Sequence, residues 1–242
     1  MKFLTRLLSR PEVSSWLRLA VDELLPPILR DRRWFYEPLM RAAGATVDLD
    51  FKRNAPFMSD DEFAAAYDAI DQLRASHATH AQHRFVLAEV VGPRVLEIGA
   101  GTGELSSALA ERGYDVTATE ISAHYAEALR AQLPARVAIA VAQLEKLPFE
   151  DRAFDTVACV HVLEHVRNLE AAVRELKRVA RRRVVLVVPR ERYHRYAANY
   201  HLQFFFGEEQ LALATGLHDY TCRVIDGALC YVAFLDGKRH TT

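Results

Sequence analysis

The sequence predicts an α/β fold: a doubly wound, mostly parallel sheet with helices on both faces, preceded by a helical segment. Three observations carry this expectation. From residue 94 onward short apolar runs alternate with stretches of helical spacing. One of those runs, Arg94-Val-Leu-Glu-Ile98, stops at a glycine-rich turn and hands over to a helix. Half of the 242 residues are apolar, enough to bury one good-sized core with a segment appended.

The chain begins with Met1-Lys-Phe-Leu-Thr-Arg-Leu-Leu-Ser-Arg10, which places Phe3, Leu4, Leu7 and Leu8 on one helical side and Lys2, Arg6 and Arg10 elsewhere. The expected role is docking on the protein's own body; peripheral contact of residues 1–10 with anionic lipid is the lesser reading. No run reaches the length of a spanning helix and no leader pattern follows, so a cytoplasmic protein is expected. Val13 to Met40 is helical in pattern, broken at Pro26-Pro27, and Trp34-Phe35-Tyr36 reads as a small satellite core. Gly44 to Met58 reads as a connector. Ser59-Asp-Asp-Glu62 is a capping box opening a helix that carries Phe63, Ala66, Tyr67, Ile70 and Leu73. A boundary near residue 75 separates this segment, 1–75, from a domain of 76–242.

His77, His80 and His83 repeat at threes ahead of the helix Phe85 to Val91, but no carboxylate or cysteine completes a metal stripe and no metal site is expected. Cys159, Cys222 and Cys230 lack paired metal spacing and suit a reducing compartment. With 31 Lys plus Arg against 32 Asp plus Glu, the chain is not built to coat nucleic acid.

Val95, Leu96 and Ile98 form the first buried strand, with Glu97 near its end. Gly99, Gly101 and Gly103 remove three Cβ atoms within five residues, so the backbone turns sharply and can lie against a ligand ahead of the helix Leu105 to Ala110. Gly113 to Glu120 is a second strand and Ser122 to Leu133 a helix. About twenty residues past the first glycine, a carboxylate at a strand's carboxyl end can accept hydrogen bonds from both ribose hydroxyls, and Glu120 fits that post. Arg136 to Val141 is the third strand and Phe154 to Val160 the fourth, ending at His161. Asn168 to Arg183 reads as a helix whose Arg174 to Arg183 basic run is a solvated face; its other use would be RNA binding. Val184 to Val188 is the fifth strand, Glu208 to Thr215 the last helix, and Leu217 to Ile225 with Ala228 to Leu235 a hairpin through Asp226-Gly227.

Leu96-Glu-Ile-Gly-Ala-Gly-Thr-Gly103, with Leu147-Pro-Phe149 and Leu163-Glu-His-Val166, resembles the class I S-adenosylmethionine-dependent methyltransferases of the ubiquinone and menaquinone biosynthesis type over roughly residues 80 to 236. The G-x-G-x-G spacing differs from the G-x-G-x-x-G of dinucleotide folds. The resemblance implies a Rossmann-like seven-stranded sheet of order 3-2-1-4-5-7-6 with an antiparallel final strand. It implies S-adenosylmethionine as cofactor and Glu97, Gly99, Ala100, Gly101, Gly103, Glu120, Ile121, Gln143, Leu144 and His161 at its site. In that family the acid at Glu97 faces the methionine ammonium end, Ile121 packs on adenine, and an aspartate stands where this chain has Gln143, whose carbonyl can accept the same hydrogen bond.

The implied activity is methyl transfer to a hydroxyl, amine or carbon of a small or lipid-linked acceptor. Tyr193, His194, Tyr196, Tyr200 and His201 beside arginines suit an anionic or aromatic one. If a base is used, His161, His194 and His201 are the candidates. The alternatives are an RNA methyltransferase using the basic 174–183 face, a catalytically silent cofactor-binding partner module, and a dehydrogenase. Oligomeric state is not legible in the sequence.

Overall fold

A computed structural model describes residues 26–30, 32, 34, 35, 38, 46–70, 78–193 and 200–237. The expectation for residues 1–10 therefore lies outside the described residues. The described residues fall into two compact units, one within Met1–Phe57 and Tyr193–His201, the other within Met58–Arg192 and Leu202–Thr242.

In the first unit, α1 spans Pro27–Arg30 and α2 spans Thr46–Asn54, followed by a 3-10 turn, Ala55–Phe57. The connector expected over 44–58 is thus mostly helical. Phe51 and Ala55 are buried at helical spacing and Lys52 and Arg53 occupy the last turn, so Asn54-Ala-Pro56 ends a helix instead of marking a loop. The Phe51 ring meets Tyr200 edge-on at 5.5 Å. Trp34 lies edge-on to Phe35 at 5.9 Å between ring centres and is 67% exposed; Tyr36, the third ring of the expected cluster, lies outside the described residues.

The second unit opens with α3, Asp60–Asp68, whose capping box has Ser59 Oγ accepting from Glu62 N and Glu62 accepting from Ser59 N. This helix, which the sequence reading places in the leading segment, belongs to the same compact unit as the sheet. Then follow α4 (His80–Glu89), β1 (Arg94–Ile98), α5 (Glu104–Glu111), β2 (Asp115–Glu120), α6 (Ala123–Gln132), β3 (Ala138–Val141) and β4 (Phe154–Val160). After a 3-10 turn at Leu163–His165 come α7 (Leu169–Val179), β5 (Ala180–Pro189), α8 (Glu208–Thr215), β6 (Tyr220–Ile225) and β7 (Ala228–Phe234).

The seven strands run in the order β3-β2-β1-β4-β5-β7-β6, parallel from β3 to β5, with β7 antiparallel to both of its neighbours. This is the order implied by the resemblance. Alternation along the strands divides the core. Leu96, Ile98, Val157, Cys159 and Leu186 face Leu176 of α7 and Leu211 of α8, whereas Val95, Val116, Ala158 and Val185 face Val86, Leu105, Leu109 and Leu129 of α4, α5 and α6. Covered on both faces, the central strands have no polar alternation, which is why they read as continuous apolar runs.

The helix expected over 168–183 stops at Val179, because Ala180 to Arg183 pair with β4 and extend β5. The basic run is thereby split between two elements and largely ion-paired. Arg178 meets Glu175 and Asp151, Arg182 meets Asp236, and buried Arg183 meets Glu89 at 3.0 Å with its guanidinium 5.1 Å from the Phe234 ring centre. Arg181 pairs with Asp155, a fully buried carboxylate at the start of β4 that also accepts from the backbone amide of Arg94 at 3.1 Å.

Gly92 feeds β1 past that carboxylate. Its φ is +75°, and a Cβ placed there would stand 2.4 Å from the Asp155 Cβ. Gly92→Ala is expected to destabilise the fold by about 2 kcal/mol or more, since backbone strain and displacement of a buried ion pair act together. Urea unfolding of the variant against wild type checks this.

Candidate functional site

The turn after β1 is built by backbone geometry. Gly99, Gly101 and Gly103 all have positive φ, at 65°, 56° and 78°. Two of them are also packing constraints: a Cβ on Gly99 would stand 2.5 Å from Val162 Cγ2, and one on Gly103 2.9 Å from Leu133 Cδ2. At Gly101 a Cβ would meet nothing within 4 Å, because this residue borders a cavity. The Gly101 amide donates to Glu120 Oε1 at 2.5 Å, which ties the turn to the carboxyl end of β2.

The cavity holds about 490 Å³ at the carboxyl ends of the strands, where doubly wound sheets bind ligands. Its wall includes Gly99, Gly101, Glu120, Ile121, Gln143, Leu144 and His161 from the expected set, with Phe63 and Tyr67 from α3, Tyr125 from α6 and Glu145. Burial raises the pKa of Glu120, and hydrogen bonds from the Gly101 and Ile121 amides oppose that rise. Glu97, Ala100 and Gly103 are not on the wall. Glu97 is buried behind the turn, where it accepts from the Ser106 hydroxyl in the first turn of α5, and burial pushes its carboxyl up to about 8.

His161 sits at φ +52°, a conformation non-glycine residues rarely adopt. Its backbone amide donates to Val187 O at 2.8 Å, which pins the end of β4 to β5. Its ring is held at both nitrogens: Nε2 lies 3.0 Å from Gln82 Oε1 and Nδ1 lies 3.2 Å from Glu164 Oε1. The orientation of the Gln82 amide follows from its other bonds. Oε1 accepts from the Thr79 amide in the α4 capping box, and Nε2 donates to Ile225 O at 3.1 Å. Hence His161 Nε2 carries a hydrogen and donates to Gln82, while Nδ1 faces the buried Glu164 carboxylate. A base role for His161 requires release of one of these contacts. Of the other two histidines, His194 lies outside the described residues and His201 belongs to the first unit.

Gln143 is engaged as well. Its Nε2 donates to Asp60 O at 2.9 Å, and Arg167 Nη2 lies 3.4 Å from its Oε1. Sequence reasoning missed Phe63, Tyr67, Gln82, Glu164 and Arg167. The i, i+4 spacing of Phe63 and Tyr67 marked a buried helix face, but no local signal said that the face looks onto residues 143 and 167. Gln82 carried a cap signal only: Thr79 three residues ahead of it forms a capping box.

Residues 96–188 match the family described as methyltransferase domain. The chain is 35% identical over 143 residues to a demethylmenaquinone methyltransferase of Clavibacter sepedonicus, covering 55% of this chain and 56% of that one. It is 34% identical over 119 residues to an uncharacterized methyltransferase of Mycobacterium tuberculosis, covering 49% and 47%. The chain thus spans about half the length of the curated relatives it matches. A solved SAM-dependent methyltransferase of Thermotoga maritima superposes with a TM-score of 0.54 at 18% identity, over 76% of this chain and 97% of that one, which is a likeness of fold. Residues 96–188 are thus similar to a methyltransferase domain, and the seven-stranded sheet has the fold of the solved SAM-dependent methyltransferase.

The raised Glu97 has a consequence for stability. The folded protein holds the Glu97 proton up to about pH 8, whereas the unfolded chain releases it near 4.5. Glu97 therefore does not oppose folding below pH 4.5, and its contribution turns unfavourable as pH rises from there to about 8. Glu97→Gln is expected to flatten the fall in stability across this window, as read from urea midpoints measured between pH 5 and pH 8.

Proposed function

We propose that this chain transfers the methyl group of S-adenosylmethionine to a small, aromatic or apolar acceptor held in the cavity. The observation that carries the reading is Glu120: a buried carboxylate at the end of β2, bonded to the Gly101 amide and bordering a cavity across which the glycine turn lies.

The residues present fit such a cofactor. Glu120 can accept from the sugar hydroxyls, since two backbone amides leave acceptor capacity on its oxygens. The backbone at Gly99 and Gly101 would run beneath the ligand, and Ile121 and Leu144 offer apolar walls for a base. When bound, S-adenosylmethionine supplies a methyl already activated on a sulfonium. What remains for the protein is orientation and exclusion of water. Phe63, Tyr67 and Val166 supply apolar wall for an acceptor, and His161 presents a ring fixed by Gln82 and Glu164. An aromatic acceptor, in keeping with the quinone-type name of the Clavibacter sepedonicus relative, suits the two rings of α3. The ion pairing of Arg178, Arg181, Arg182 and Arg183 supports a small molecule over a nucleic acid.

Calorimetry with S-adenosylmethionine and S-adenosylhomocysteine, followed by transfer of a radiolabelled methyl into cell extract, tests the reading. Both ligands are expected to bind and a small organic product to carry the label; binding without any labelled product would favour a silent cofactor-binding module. Glu120→Ala is expected to weaken S-adenosylhomocysteine binding at least roughly tenfold, since one or two charged hydrogen bonds are lost.

A further inference from the structure

We propose that Arg167 is a positioning residue: it clamps α3 as a wall of the cavity and thereby sets how fast the adenosyl ligand enters and leaves. This rests on the cofactor reading above and goes beyond it, since neither Arg167 nor α3 lies among the residues that the glycine-turn motif points to.

A nine-residue helix is marginal on its own, so α3 stays in place through its ties to the rest of the unit. Tyr67 meets His165 edge-on at 6.0 Å, and two further residues bond the start of the helix. Gln143 Nε2 donates to Asp60 O at 2.9 Å, and Arg167 makes three contacts of its own. One guanidinium nitrogen of Arg167, Nη1, donates to Met58 O at 2.5 Å; the other, Nη2, bonds the Asp60 carboxylate; and the cation lies 4.6 Å from the centre of the Phe63 ring. The Asp60 side chain is 67% exposed, so its ion pair is screened, and the carbonyl bond and the ring contact with buried Phe63 hold more firmly.

Arg167 is itself anchored. Its backbone amide donates to Glu145 Oε1 at 3.0 Å, directly after the segment that carries His161, Val162, His165 and Val166 on the cavity wall. One residue thus joins three pieces of the wall: α3, the loop holding Gln143 and Glu145, and the segment that follows β4. The planar fork matters, since it reaches a carbonyl and a carboxylate while lying on a ring, which a lysine ammonium cannot do together.

The test uses the full chain and two readouts. In Arg167→Ala, amide hydrogen exchange of residues 60–68 is expected to speed up roughly tenfold while β1 and β4 keep wild-type protection, and dissociation of S-adenosylhomocysteine in stopped flow is expected to speed up by a similar factor, that of about one charged hydrogen bond. Arg167→Lys should fall between the two. If Arg167→Ala does not fold, Arg167→Met keeps the apolar stem and removes the fork. Unchanged exchange over 60–68, or fast exchange with a wild-type dissociation rate, overturns the proposal. A wild-type chain that does not bind S-adenosylhomocysteine sinks the cofactor reading and the exchange-rate role together, and hydrogen exchange then reports on the clamp alone.

Discussion

The hydrogen bond from the Gly101 amide to the Glu120 carboxylate is the contact on which the site depends. It joins the turn leaving β1 to the end of the neighbouring strand β2, and it is possible only because Gly101 takes a positive φ with its amide aimed sideways. A carboxylate this deeply buried is costly unless its oxygens are partnered. The Gly101 and Ile121 amides meet part of that need. The remaining acceptor capacity faces a cavity, which makes the end of β2 a place for a ligand that brings hydroxyl donors.

The same logic runs across the sheet to β4. Val162 fills the space that a Cβ on Gly99 would take, so the turn and the residue after His161 are fitted to each other. His161 takes an unfavourable backbone conformation there, and three contacts hold it: its amide on Val187, its Nε2 on Gln82 and its Nδ1 on Glu164. Gln82 in turn is fixed by the α4 cap and by Ile225 at the hairpin. Strain of this kind persists only where the surroundings over-determine it, and here they come from four separate elements. Such a ring suits a rigid cavity wall better than a mobile proton carrier.

How far the sequence disclosed this follows from what kind of signal each part leaves. Parallel strands covered on both faces leave continuous apolar runs, so β1, β4 and β5 were legible, and the positive-φ turn announced itself through glycine. The last turn of the helix expected over 168–183 was misread because Ala180 to Arg183 have good helix propensity; pairing with β4 and β7 overrides it, and the arginines find acids brought close by the fold. Thr46 to Asn54 carries no capping signal strong enough to outweigh Asn54-Ala-Pro56, and its helix is stabilised by burial of Phe51 and Ala55. Glu97 was legible as a buried acid in the motif, but its partner Ser106 lies one helical turn beyond the glycines, so its place behind the cavity wall emerges only in three dimensions.

Every residue of the cavity wall except Phe63 and Tyr67 falls between residues 98 and 166, inside the stretch that matches the methyltransferase domain. The matched stretch therefore accounts for the floor: the glycine turn, the acid at the end of β2 and the loop after β3. The two aromatic rings come from a helix outside it, joined by Arg167 and Gln143. A fold held in common does not fix what is bound; on the proposed reading, the choice of acceptor resides in whatever is added to that fold. In this unit the added wall is α3, so if the proposed methyl transfer holds, what sets this chain's acceptor apart is to be sought first in the ring face of that helix and in the clamp that presents it.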